Sequence, residues 1–162
     1  MAKNYQQTLT EIKAMCAGES DSIALMATIS AHLYQQIDGF DWVGFYRVVD
    51  QGLLKIGPYQ GGHGCLVIPF DKGVCGAAAR LKQIQLVDDV DQFEGHIACS
   101  SSTRSELVIP LIDAAGEVFA VLDIDSDQPA FFDQHDADQL DTLMRELFSG
   151  GPVNVVRPEK PG

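Results

Sequence analysis

Four cysteines, at positions 16, 65, 75 and 99, are the side chains of this sequence best suited to chemistry. In a chain that reads as cytoplasmic, cysteines are thiols by default, and local context decides between core and reagent. Cys99 sits in His96-Ile97-Ala98-Cys99-Ser100-Ser101-Ser102-Thr103, among hydroxyl and amide donors that favour the nucleophilic thiolate. Free cysteine is more often a small buried hydrophobe, but a loop of serines is an odd place for one, which favours reactivity. Cys65 follows Gly61-Gly62-His63-Gly64 and begins a strand. Glycines there let the backbone bring it to a second sulfur, and a core residue at a strand start is an equally good account. Cys75, between Gly73-Val74 and Gly76, opens a short helix whose N-terminus lowers a thiol pKa; packing among alanines explains it as well. Cys16 lies on the apolar side of a helical segment and reads as core.

Acids and aromatics stand near these thiols in the sequence. Asp123 and Asp125 alternate at the end of the apolar run Val118–Leu122, so both point to one face of a strand. Spacing alone slightly favours turn formers over the sharper reading, an acidic pocket for a cationic group with one acid protonated by its neighbours. Glu106 opens the strand that follows the Cys99 loop. Trp42 and Tyr46, four apart, share a strand face that suits either core or the wall of a ligand pocket. Zinc is a rival use of His63, Cys65, Cys75, His96 and Cys99, but there is no Cys-x-x-Cys pair and the spacing is that of no standard zinc module. His32 and His135 fall on helices and read as structural or solvated.

The elements that must position these residues follow from periodicity. Residues 4–17 suit a helix through Leu9, Ile12 and Cys16. A second, capped by Ser20 or Ser22 and ended by Asp38-Gly39, carries Ile23, Met26, Ile29, Leu33 and Ile37. Residues 42–49 and 53–59 form a hairpin, and 65–70 a strand; 73–81 is a short helix and 84–87 a strand. A long loop over 88–105 precedes a second hairpin, 107–112 with 118–125, and its length favours a functional role. Asp133 caps a last helix bearing Leu140, Leu143, Met144 and Leu147. This order predicts an α/β protein of the α+β type, an antiparallel sheet with the N- and C-terminal helices on one face. One domain spans 1–148, and the Gly/Pro-containing tail over 149–162 is expected to be poorly ordered.

At 162 residues with 46% apolar content, the chain can bury a core without covalent staples. A net charge of −12 argues against nucleic acid, since Arg80-Leu81-Lys82 is the one basic cluster. No run is long and apolar enough for a membrane span, and the N-terminus has no apolar signal segment.

Six stretches resemble the free methionine-(R)-sulfoxide reductases, which are built on a GAF-domain fold. They are Asp41-Trp42-Val43-Gly44-Phe45-Tyr46; Gly57-Pro58-Tyr59-Gln60-Gly61; Ile68-Pro69-Phe70 with Gly73-Val74-Cys75-Gly76; Gly95-His96-Ile97-Ala98-Cys99; Ser105–Leu111; and Val121–Ser126. Three positions depart from the family pattern: Ser100 where Asp is usual, Thr103 where Ser is common, and Asp71 where Gly is common. The resemblance implies that Cys99 attacks the sulfoxide, that Cys65 resolves the sulfenic acid and that Cys75 is an auxiliary partner. It implies recycling by thioredoxin, with no cofactor or metal. It also implies that Glu106, Asp123 and Asp125 engage the substrate's ammonium and oxygen, that Trp42 and Tyr46 form an aromatic wall, and that loop 88–105 closes over the site of a homodimer. A GAF sensor of small molecules, such as cyclic nucleotides, is the alternative from a different functional class.

Overall fold

The computed structural model describes residues 3–148 and the short strand Val155–Val156. The expected poorly ordered tail from Ser149 lies outside the described residues apart from that strand. Asn4 caps α1 (Tyr5–Met15) by accepting the Gln7 amide. The cap of α2 (Ser22–Gln36) is neither Ser20 nor Ser22 but Asp21, whose carboxylate accepts the Ala24 amide at 2.9 Å. A carboxylate satisfies that amide and also places negative charge at the positive end of the helix. Ile23, expected on the buried stripe, is 61% exposed. It stands in the first turn on the outer side, and the stripe runs through Leu25, Met26, Ile29 and Leu33 instead.

The strands are β1 (Trp42–Asp50), β2 (Leu53–Gln60), β3 (Val67–Pro69), β4 (Ile84–Val87), β5 (Ser105–Ile112), β6 (Val118–Ser126) and β7 (Val155–Val156). They form one sheet in the order β3-β2-β1-β6-β5-β4-β7. Every neighbouring pair is antiparallel except β4 with β7. The third strand is shorter than the 65–70 expected: it begins at Val67, and Cys65 precedes it, bonded to Cys99. The fifth begins at Ser105, two residues earlier than expected. The connection before it contains a single 3₁₀ turn, Val90–Gln92.

Helices α1, α2 and α4 (Gln134–Phe148) cover one face of the sheet, around Phe45, Ile109 and Leu122. Each such fully buried side chain stabilises the fold by about 1.5–3 kcal/mol. Asp133 caps α4 as expected, accepting the Asp136 amide, while the Asp136 carboxylate accepts the Asp133 amide in return. Asp136 also receives the Tyr5 hydroxyl and pairs with Lys3, which ties the two chain-end helices together. Cys16, the C-cap of α1, is core, as the apolar spacing implies.

The other face of the sheet carries α3 (Gly73–Leu81) and the loop over 88–104. Gly73, with φ +68°, turns the chain into α3 in a conformation that L side chains rarely adopt. Its amide donates to Gly95 O, anchoring the loop to the start of the helix. The loop is held at its ends by Val90 N to Arg104 O and Arg104 N to Ser126 O.

Candidate active site

Strand pairing assembles the site on this second face. Trp42 stands opposite Asp125, and Asp125 stands opposite Glu106, so one row crosses β1, β6 and β5. The next row places Gly44 opposite Asp123. Because strand residues alternate faces, Asp123 and Asp125 point to the same side, as their spacing predicts. Gly44 makes room for an aromatic wall. Trp42 stacks on Tyr46 at 5.9 Å and on Tyr59 at 5.3 Å between ring centroids. A side chain at Gly44 would meet Tyr59 Cβ at 2.4 Å. The Trp42 ring N–H donates to Gly62 O at 2.7 Å, which satisfies its one polar atom.

These side chains border a cavity of about 40 Å3. Trp42, Tyr46, Cys75, Cys99, Glu106, Asp123 and Asp125 all line it; Cys65 does not. Cys65 instead reaches the cavity through a disulfide with Cys99, their Cα atoms 5.3 Å apart across 34 residues of sequence. His63, Ile68, Val74, His96, Ile97 and Thr103 are also among the lining residues, and the sequence reading assigned none of them to a substrate pocket. Tyr59 was missed as a wall residue as well. Its place opposite Gly44 in the first hairpin is the signal that could have found it. Ser100, the departure beside Cys99, accepts the Ser102 amide through its hydroxyl, a turn contact that a carboxylate can also make.

The electrostatics of Cys75 reverse one expectation. Its place at the start of α3 suggests a lowered thiol pKa, yet burial pushes the thiol well up, and Asp123, Glu106 and Asp125 push it the same way. The helix-end effect is worth about 0.3–1 kcal/mol at an exposed site, which is small against removing a charge from water. Cys75 is therefore a protonated thiol, 4.0 Å from Glu106 Oε1.

Burial is also the largest influence on the three acids. It lifts Glu106 and Asp125 well above the usual carboxylate range, reinforced by the charge of Asp123. Asp123 is raised by burial too, but hydrogen bonds from Glu106, Cys75 and Asp125 work against the rise. All three carboxyl groups are thus raised and do not ionise together; Asp123, the one whose hydrogen bonds oppose the rise throughout, carries negative charge most readily. Oδ1 of Asp123 and Oδ1 of Asp125 are buried without hydrogen-bond partners, acceptors that a ligand's N–H or O–H can satisfy.

Of the five zinc-ligand candidates, Cys65 and Cys99 have their sulfurs bonded to each other. Among the described residues, the metal-ligating atoms that do come together are those of Cys75, Glu106 and Asp123. His32 pairs with Glu11, and His135 lies edge-on to the Tyr5 ring, in keeping with structural roles.

The sheet, the helices on both faces and the half-enclosed acidic pocket with a cysteine pair at its edge define a small-molecule domain equipped for thiol redox chemistry. Residues 19–147 match the GAF domain family. The chain is 38% identical over 143 residues to the free methionine-R-sulfoxide reductase of Escherichia coli, covering 88% of this chain and 86% of that protein. It is 35% identical over 146 residues to the enzyme of the same name from Saccharomyces cerevisiae, covering 86% and 81%. The X-ray structure of free methionine-R-sulfoxide reductase from Neisseria meningitidis, in complex with its substrate, matches with a TM-score of 0.84 at 41% identity, over 90% of this chain and 86% of that one. The chain therefore belongs to the GAF-domain family and, within it, to the free methionine-R-sulfoxide reductases. Among the described residues, no helix is long and apolar enough to cross a membrane.

Proposed function

We propose that this chain reduces free methionine-R-sulfoxide to methionine, using its own cysteines as reductant. The observation that carries this reading is the Cys65–Cys99 pair at the edge of a cavity lined by Glu106, Asp123 and Asp125. In the reduced protein, the Cys99 thiolate attacks the electrophilic sulfoxide sulfur. The sulfoxide oxygen takes a proton from Glu106, which burial keeps protonated. Methionine leaves with the electron pair, and the oxygen passes to Cys99 as a sulfenic acid. Cys65 then attacks the Cys99 sulfur, water departs, and the disulfide forms. A dithiol of the thioredoxin class returns both sulfurs to thiols by exchange.

Cys75 is the poorer resolving thiol, because burial and its acidic neighbours keep it protonated. The negative Asp123 and the orphaned Asp125 oxygen suit the substrate's ammonium, a group that a methionine within a peptide lacks. Trp42 and Tyr46 offer a stacked apolar surface for the methyl end. The loop over 88–104 covers the pocket, and the assembly is a cytoplasmic homodimer built from one domain over 1–148.

Turnover tests the reading: thioredoxin-dependent NADPH consumption with the separated R and S epimers, expected with R alone. Intact mass after adding the R epimer to reduced protein should fall by the mass of two hydrogens. An unchanged mass favours a ligand sensor, and light scattering tests the dimer.

A further inference from the structure

We propose that Cys75, Glu106 and Asp123 form a binding site for a single thiophilic divalent cation, with zinc as the reference ion. The sulfur and one carboxylate oxygen from each acid lie within 4.8 Å of one another. The Cys75 sulfur stands 4.0 Å from Glu106 Oε1. Tetrahedral zinc at ordinary bond lengths sets sulfur and oxygen ligands about 3.6 Å apart. That pair needs to close by only a few tenths of an ångström, and no pair by more than about 1.4 Å.

A second observation points the same way. Asp123, 5% exposed, buries Oδ1 with no hydrogen-bond partner, and its side chain lines the cavity. Three acids and a thiol share this space, while His63 and His96 are the lining side chains that can carry positive charge. The donor set selects the ion. Magnesium and calcium take six or more oxygen ligands, whereas one thiolate with two carboxylates suits zinc or cobalt(II), the fourth position facing the cavity. Coordination releases two protons to solvent, the Cys75 thiol proton and the Glu106 carboxyl proton.

This donor set shares only Cys75 with the one the sequence suggests, which also draws on His63, Cys65, His96 and Cys99. It survives in the disulfide form, because Cys75 is a free thiol there. A cation here occupies Glu106 and Asp123, so zinc excludes substrate from the pocket. That consequence rests on the reductase reading; the binding itself does not.

The test titrates cobalt(II) alone into protein with the Cys65–Cys99 disulfide intact, where Cys16 and Cys75 are the remaining thiols. The expected result is one cobalt per chain with a near-ultraviolet sulfur-to-cobalt charge-transfer band, displaced by one equivalent of zinc. Cys16→Ser keeps the band and Cys75→Ser loses it. Asp123→Asn keeps it with affinity reduced at least about tenfold, a loss that disturbing even an outer-shell partner produces. Absence of the band in the parent protein, its survival in Cys75→Ser, its loss in Cys16→Ser or unchanged affinity in Asp123→Asn overturns the proposal. Circular dichroism checks each fold, and Asp123→Asn decides the matter if Cys75→Ser does not fold. Turnover is read separately in metal-free protein, so a failure of the reductase reading leaves the cobalt result standing.

Discussion

Glu106 and Asp125 face each other directly across β5 and β6, two carboxyl groups side by side on the cavity face of the sheet. Two such groups, buried with Asp123 as a third, do not all ionise together. In the proposed reaction, this arrangement keeps a proton where the departing sulfoxide oxygen needs one.

Stability should therefore depend on pH in a definite direction. Burial first, and then the neighbouring charges, raise the folded-state pKa of Glu106 above its unfolded value of about 4.3. The stability contributed by that protonation is complete below the unfolded value and is lost as pH rises through the folded one. The thermal midpoint is expected to fall from about pH 5 towards pH 8 through this group. Glu106→Gln should flatten the trend and raise the midpoint near pH 8, by about 2–4 °C for each kcal/mol of repulsion removed. The same variant should lose about 10²–10⁴-fold in kcat/KM. Calorimetry across pH checks the first part; a midpoint at pH 8 lower than the parent's would sink it.

The cysteines should separate by role. Cys99→Ser is expected to abolish turnover and any mass change on adding substrate. Cys65→Ser should release about one methionine per chain in a burst and leave a trappable sulfenic acid. Rapid-quench product analysis with dimedone labelling reads both. A Cys99→Ser variant with full activity would contradict the assignment.

The aromatic wall depends on a missing side chain. In Gly44→Ala, the new Cβ falls 2.4 Å from Tyr59 Cβ and 2.6 Å from the Trp42 ring. The expected cost is about 1–3 kcal/mol of stability, as for other overpacked positions. KM should rise more than kcat falls, since the wall positions substrate without transferring protons. Denaturant unfolding and steady-state kinetics measure the two effects.

On the opposite face, the Tyr5 hydroxyl donates to Asp136 at 2.5 Å. Tyr5→Phe should cost about 1.5–3 kcal/mol, the range for a hydrogen bond to a charged group. It should leave kcat/KM unchanged, because α1 and α4 lie across the sheet from the cavity. A drop in activity at full occupancy of the folded state would mean that the two faces are coupled.

Much of this molecule was legible along the chain. Asp123 with Asp125, and Trp42 with Tyr46, were placed on shared faces by the period of two, and the chain-end helices by their apolar spacing. Less legible were features decided between elements. Asp21 rather than a serine caps α2, a choice between adjacent residues of equal capping strength. Cys65 lies outside the strand it was expected to begin and is bonded to Cys99, 34 residues away in sequence.

The sequence by itself determined the inventory: three cysteines in contrasting contexts, three acids, an aromatic pair, and an α+β order with a long loop. These are local properties, carried by neighbours in the chain. The tertiary structure alone decided that Cys65 meets Cys99 and that Glu106 stands against Asp125. It also decided that the Cys75 thiol is raised rather than lowered. Each of these turns on a distance through space or on exclusion from water. Charge and burial act across such distances, whatever the separation along the chain.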